Sequence, residues 1–141
     1  MAQEPESHGP GGVRLAAVDF RIQLIPVPVS DVDRALAFYT ENAGFTLDMD
    51  HVVQEGLRFV QLTPPGSACS IAIGEGLTDK PPGSAAIQVV VDDAEAAHAD
   101  LAGRGVPVSD VQTFPWGSFV FFTDPDGNAW SVQQLPPRPG R

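Results

Sequence analysis

One stretch of this chain is written twice. Residues 29–45 read VSDVDRALAFYTENAGF, and residues 91–106 read VDDAEAAHADLAGRGV. An offset of 62 carries Val29 onto Val91, Asp31 onto Asp93 and Asp33 onto Glu95. The same offset carries Val32, Ala35, Leu36 and Tyr39 onto Ala94, Ala97, His98 and Leu101. In each copy these four positions fall at i, i+3, i+4 and i+7, the apolar stripe of an amphipathic helix. Ser30 predicts the N-cap of the first helix, with Asp31 and Asp33 where the helix dipole favours negative charge. Gly44 suits its C-terminal turn. The chain is a duplicated unit, so the elements flanking one helix should flank the other.

They do. Phe20–Val29 (FRIQLIPVPV) predicts a strand before the first helix. Pro26 and Pro28 cannot donate ladder hydrogen bonds, so part of that strand must be an edge, a bulge or a junction. Strands are predicted next at Thr46–Val53, Gly56–Thr63 and Cys69–Ile73, the last two separated by the turn Pro64-Pro65-Gly66-Ser67. Gly74–Ser84 has the composition of a linker. In the second half the order is Ala86–Val91, the second helix, Val106–Val111, Ser118–Thr123 and Ala129–Gln134. The turn Asp124-Pro125-Asp126-Gly127-Asn128 joins the last two as a hairpin. Each half therefore reads β-α-β-β-β, and an α+β architecture follows in which each helix buries its stripe on its own sheet. The boundaries predicted are a disordered leader at 1–18, a domain at 19–135 and a flexible tail at 136–141. Within the domain, module one spans about 19–74 and module two about 85–135.

Composition narrows what such a domain does. With 43% hydrophobic and 18% charged residues over 141 positions, the chain can bury a core of its own. No apolar run approaches the ~20 residues of a membrane helix, and MAQEPESHGPGG lacks the apolar segment of a secretory signal. The single cysteine, Cys69, excludes an internal disulfide and fits a reducing cytoplasm. A formal net charge of −10 argues against a nucleic-acid partner and favours cationic or neutral ligands.

Few residues offer catalysis. His8 lies in the leader, and His98 occupies a helix-stripe position that predicts packing. His51 stands near Glu55 on a strand or loop rim, where such a pair can act as a general base but is more often solvated. Asp124-x-Asp126-x-Asn128 matches the start of a calcium loop, yet Ala129 stands at the glycine position and Leu135 at the closing Glu position, so it reads as a turn. Cys69 aligns with Trp130 between the halves and reads as a small buried hydrophobe. The chain has no Gly-rich phosphate loop, nucleophile elbow or CxxC.

With VSDVDRALAFYTENAGF, VDDAEAAHADLAGRGV and the closing FTDPDGNAW in this order, the chain resembles the vicinal oxygen chelate superfamily from about Phe20 to Gln134. That superfamily includes glyoxalase I, extradiol dioxygenases and bleomycin-resistance proteins. The resemblance implies the glyoxalase/bleomycin-resistance fold: two tandem βαβββ modules in a curved mixed sheet with a central cleft. It also implies a homodimer. In metal-dependent members four strand positions carry His, Glu or Gln, and here those positions hold Leu24, Gln61, Ala86 and Ser131. Two of these have no donor atom and one is a neutral hydroxyl, so the expectation is no metal and no cofactor. A one-residue register slip would bring Gln23 to the place of Leu24.

A metal-free cleft remains. Phe59, Gln61, Gln88, Phe122, Ser131 and Gln133 share the expected inward parity, and Trp116 lies in a loop that can wall or cover the cleft. Aromatic rings with a few amides suit a planar, partly polar organic molecule, and the acidic chain would suit a cationic one. The reading is a small-molecule-binding protein resembling the bleomycin-resistance group, which sequesters its ligand without a membrane or nucleic-acid partner. The alternatives are a metal-dependent lyase or dioxygenase with shifted ligands, a metal-free isomerase using His51 or Glu55, and a subunit with no ligand.

Overall fold

The two helices begin at corresponding acids. In a computed structural model describing residues 17–137, Asp31 caps α1 (Val32–Ala37) and Asp93 caps α2 (Ala94–Gly103). Each carboxylate accepts a hydrogen bond from the first-turn backbone, Arg34 N at 3.0 Å and Glu95 N at 2.9 Å. The cap is thus one residue beyond Ser30, because Ser30 is held elsewhere. Its N–H and hydroxyl both donate to Asp126, at 3.1 and 2.6 Å, 96 residues further along the chain.

The helices differ at their C-terminal ends. α1 runs on into a π-turn, Phe38–Asn42, before Gly44 takes a left-handed φ of 78°. In the second half Gly105 (φ 86°) holds that place. The offset is 62 at the caps and 61 at these glycines, so the π-turn absorbs one extra residue in module one. The closing bonds show the same step: Phe45 N donates to Tyr39 O, and Val106 N donates to Leu101 O.

The strands are β1 (Leu24–Pro26), β2 (Thr46–Gln54), β3 (Leu57–Thr63) and β4 (Ser70–Glu75) in module one. Module two has β5 (Ala86–Val91), β6 (Gln112–Phe114), β7 (Gly117–Thr123) and β8 (Ala129–Gln134). They form two four-stranded mixed sheets ordered β1-β4-β3-β2 and β5-β8-β7-β6, which is the α+β fold expected from the duplication. In each sheet the first strand pairs parallel to the last, and the remaining pairs are antiparallel.

Two strands depart from expectation. β1 is three residues long rather than Phe20–Val29: its ladder to β4 begins only at Leu24, opposite Ser70, and stops at Pro26, where Pro26 and Pro28 remove two donors. The strand expected at Val106–Val111 forms instead at Gln112–Phe114. Val106 turns into the core and Ser109 is tied by two bonds to the Phe121 backbone, so that stretch follows the sheet rim before pairing. Apart from residues 17, 18, 136 and 137, the leader and tail lie outside the described residues, and so does His8.

One face of each sheet carries the helices, and these faces share a single core. Val60, Leu62, Ile71 and Ile73 come from sheet one, Val120, Phe122, Trp130 and Val132 from sheet two, with Val32, Ala35, Tyr39 and Leu101 from the helices. The modules are fastened through the turn at residues 124–128. Asn128, fully buried, donates to Pro28 O at 2.7 Å and to Asp124 at 2.8 Å, and accepts from Ala85 N at 2.9 Å. Asp124 in turn accepts the Tyr39 hydroxyl at 2.7 Å, and that hydroxyl accepts from Trp130 Nε1 at 3.0 Å. Burial, and then the negative charge of Asp124, push the Tyr39 phenol far above its ordinary pKa.

Candidate functional site

The faces without helices are where the expected site residues lie. Strand pairing sorts them, because residues directly opposite across a ladder share a face. In module one Phe59 stands between His51 on β2 and Gly74 on β4, and Gln61 stands between Met49 and Ala72. A polar chain crosses this face. Gln61 Nε2 donates to Ser70 Oγ at 3.3 Å, Ser70 and Thr63 hydroxyls lie 2.6 Å apart, and Thr63 donates to Asp48.

In module two, Ser131 stands between Gln88 on β5 and Phe121 on β7, and Gln133 stands between Val90 and Phe119. Gln88 Nε2 donates to Gln133 Oε1 at 2.8 Å, and Gln133 Nε2 donates to the Trp116 carbonyl at 2.9 Å. Trp116 is 61% exposed on the β6–β7 turn. Its ring stacks on Phe114 with centroids 5.2 Å apart and planes 4° apart. Phe114 meets Phe119 edge-on at 5.9 Å, and Phe119 stacks on Phe121 at 5.7 Å. The result is a row of four aromatic rings edged by two glutamines and a serine. Aromatic faces beside amides form a surface for flat molecules that carry a few polar groups.

Phe122 is a correction. It pairs with Trp130, not with Ser131, and points into the helix-bearing core, where it is 7% exposed. The residues missed on that face are Phe121, which is 37% exposed, and Phe119, which packs beneath Phe114 and Phe121 and is itself buried. Five turn residues, 124–128, set Thr123 opposite Ala129, so counting back along the hairpin puts the odd-numbered Phe residues with Ser131.

The remaining candidates fall apart. His51 is exposed on the open face of sheet one, and Glu55 lies in the turn after β2. No hydrogen bond or ion pair joins them among the described residues. His98 is half-buried on α2. Cys69 does not correspond to Trp130. Leu24 pairs with Ser70 and its counterpart Ala86 pairs with Ala129, so Cys69 corresponds to Asn128 and Ile71 to Trp130.

Strand correspondence also bears on the positions a metal would use. Ala72, one strand over from Gln61, is the module-one counterpart of Ser131. Leu24, Ala72 and Ala86 offer no side-chain donor, Ser131 offers a neutral hydroxyl, and Gln61 is engaged with Ser70. This set does not fit a divalent ion, which takes several charged or imidazole ligands. Among the described residues no three His, Cys, Asp or Glu side chains cluster as ligands elsewhere.

A further concavity lies between the modules, lined from the helix side and, at the edges of β4 and β5, by Ser70, Gln88 and Val90. It measures about 610 Å³ and is lined mainly by apolar groups, among them Phe45, Ile71, Leu101, Phe122 and Trp130. Phe122 and Trp130 stack there with planes 4° apart.

Known proteins share this architecture. A solved structure described as TnmS3, an antibiotic binding protein from Streptomyces sp. CB03234, is 35% identical, with a TM-score of 0.76 over 86% of this chain and all of that one. A glyoxalase/bleomycin resistance protein from the same organism is 37% identical, with a TM-score of 0.71 over 81% of this chain and all of that one. The uncharacterized protein YetH of Bacillus subtilis (strain 168) is 27% identical over 81% of this chain and 98% of its own length. The model of one family, described as the Glyoxalase/Bleomycin resistance protein/Dioxygenase superfamily, matches residues 21–132, and it is to this superfamily that the chain belongs.

Proposed function

We propose that this protein binds a planar, partly polar small molecule on the open face of its second sheet and holds it without chemical change. The observation that carries the reading is the exposed rings Trp116, Phe114 and Phe121, packed on a buried Phe119, beside Gln88, Ser131 and Gln133. Flat rings gain affinity by stacking, and the two amides, held by each other and by the Trp116 carbonyl, fix the orientation of polar substituents. Similarity to an antibiotic-binding protein supports a ligand of that kind, and the net charge of −10 favours a cationic one. The positions a metal would use lack its donors, which supports binding without metal catalysis.

The protein acts as a homodimer in this reading. Large apolar side chains stand in solvent on both modules, including Met49 at 50%, Val90 at 61% and Phe121 at 37% exposure. A second copy laid across these faces would bring Phe59 and Gln61 of one chain toward Trp116 and Gln133 of the other, enclosing the ligand between them.

The test is calorimetric titration with bleomycin and with daunorubicin, one a cationic glycopeptide and the other a cationic planar aromatic, alongside sedimentation to measure mass. Saturable binding is expected, with the compound recovered unchanged. Trp116→Ala and Gln133→Ala should each weaken it by about tenfold, the loss of one stacked ring or one oriented amide. Binding unaffected by either change, or conversion of the compound that depends on added metal, would overturn the proposal.

A further inference from the structure

The duplication makes two junctions between the modules, related by the correspondence of their residues, and they are built differently. At the first, Tyr39, Asp124 and Trp130 join in a buried hydrogen-bonded set, and Asn128 bonds across to Pro28. At the second, the corresponding residues are Leu101 for Tyr39 and Ile71 for Trp130. Gln61 corresponds to Phe121, which makes Pro64 the counterpart of Asp124 and leaves Cys69 in the place of Asn128. Leu101, Pro64, Ile71 and Cys69 all line the concavity of about 610 Å³. The first junction is sealed by polar bonds. The second is an apolar recess.

We propose that this recess is a second small-molecule site, contained within one chain and bordered by Ser70, Gln88 and Val90 where it meets the sheet edges, and that it takes an uncharged aromatic of two or three fused rings. Its volume falls within the range of small-ligand pockets. Phe122 and Trp130, which border the space, stack on one another with centroids 5.9 Å apart. Phe45, also in the lining, meets Trp130 edge-on at 5.5 Å. An apolar space bordered by three aromatic side chains suits an aromatic ring system. The acid at the rim, Asp100, is paired with Arg104 at 3.2 Å, so the site presents no unpaired charge there to a cation. The inference does not rest on ligand binding at the open faces.

Two reporters sit in the recess. Trp130 forms its wall, and Trp116→Phe leaves it the only tryptophan. Cys69, the only cysteine, lines it as well and can be alkylated by N-ethylmaleimide. The experiment adds 2-naphthol to the full chain and follows Trp130 quenching in Trp116→Phe and the Cys69 alkylation rate in the unaltered protein. Saturable quenching at one probe per chain is expected, with alkylation slowed about fivefold or more as bound probe shields the thiol. Ala97→Phe fills the recess from α2 and should weaken both effects at least about tenfold, while Gln133→Ala should leave them in place. If Ala97→Phe fails to fold, the protection of Cys69 in the unaltered protein still decides. The proposal is overturned by an absence of saturable quenching and protection. Effects lost in Gln133→Ala but kept in Ala97→Phe overturn it too, and would credit the open face instead. So does a Cys69 that is slow at high protein concentration whether or not probe is present, because a second copy then covers the recess.

Discussion

Tyr39→Phe removes a single oxygen from the centre of the molecule, and its effect can be worked from the contacts. The ring is fully buried, and the hydroxyl donates to Asp124 at 2.7 Å while accepting from Trp130 Nε1 at 3.0 Å. The first is a hydrogen bond to a charged group, worth about 1.5–3 kcal/mol, and losing the second strands a buried indole N–H at about 1–3 kcal/mol. Asp124 keeps donors from the Asn128 amide, the Asn128 backbone and the Asp126 backbone, so the two costs do not add in full. A net loss of about 3 kcal/mol is expected, or roughly 10 °C in Tm for a domain of this size. The alkaline limb gives a second signature. Burial holds the folded-state phenol protonated, whereas the unfolded chain ionises near its ordinary value, so this contribution is complete below about pH 10 and is lost as pH rises above it. Because Tyr39 is the only tyrosine, tyrosinate absorbance should appear only with unfolding. Urea melts from pH 7 to 11 check both points. A loss under about 0.5 kcal/mol at neutral pH, or tyrosinate absorbance in the still-folded protein, would refute the reasoning.

Other expectations follow from particular contacts. Asn128→Ala, which cuts the bonds to Pro28, Asp124 and Ala85, should cost about 2–4 kcal/mol, and amide exchange should then quicken in both modules at once. Gly74→Ala would set a Cβ 1.9 Å from the Arg58 carbonyl, so β3 and β4 must part; a melt unchanged within about 1 kcal/mol would contradict that. Arg58 donates to Asp50 at 2.8 and 3.0 Å and holds that carboxyl below its ordinary range. Its contribution is therefore present above pH ~4 and lost as pH falls further. The pair is partly exposed, so Arg58→Met should flatten the acid limb by only about 0.5 kcal/mol in urea melts from pH 6 to 3.

How legible these features were depended on how local their causes are. Ala86–Val91 and Ala129–Gln134 form strands at the bounds the sequence predicted, because β-branched runs and a five-residue turn fix them nearby. The helix cap moved from Ser30 to Asp31 because Asp126, 96 residues away, holds the serine. Nothing near Ser30 announces that bond. The strand expected at Val106–Val111 failed because apolar alternation there serves the core and not a ladder. The open-face residues Phe59, Gln61, Gln88, Ser131 and Gln133 could be placed from parity, and Phe122 was misassigned by one residue of hairpin register. The recess between the modules was not legible. It arises from comparing two junctions residue by residue, and the correspondence of Ile71 with Trp130 depends on strand pairing that the sequence does not display.

A duplicated fold inherits every fastening in two copies, and this one needs only one of them. With Asn128, Asp124 and Tyr39 carrying the attachment, the half-buried residues at Pro64 and Cys69 are released from that duty. Side chains there can change size across generations without prising the halves apart, so long as the space stays apolar. Descendants of the same ancestral unit could therefore diversify what they accommodate at one seam while the other keeps the scaffold constant, a division of labour open to a repeat and closed to a single module.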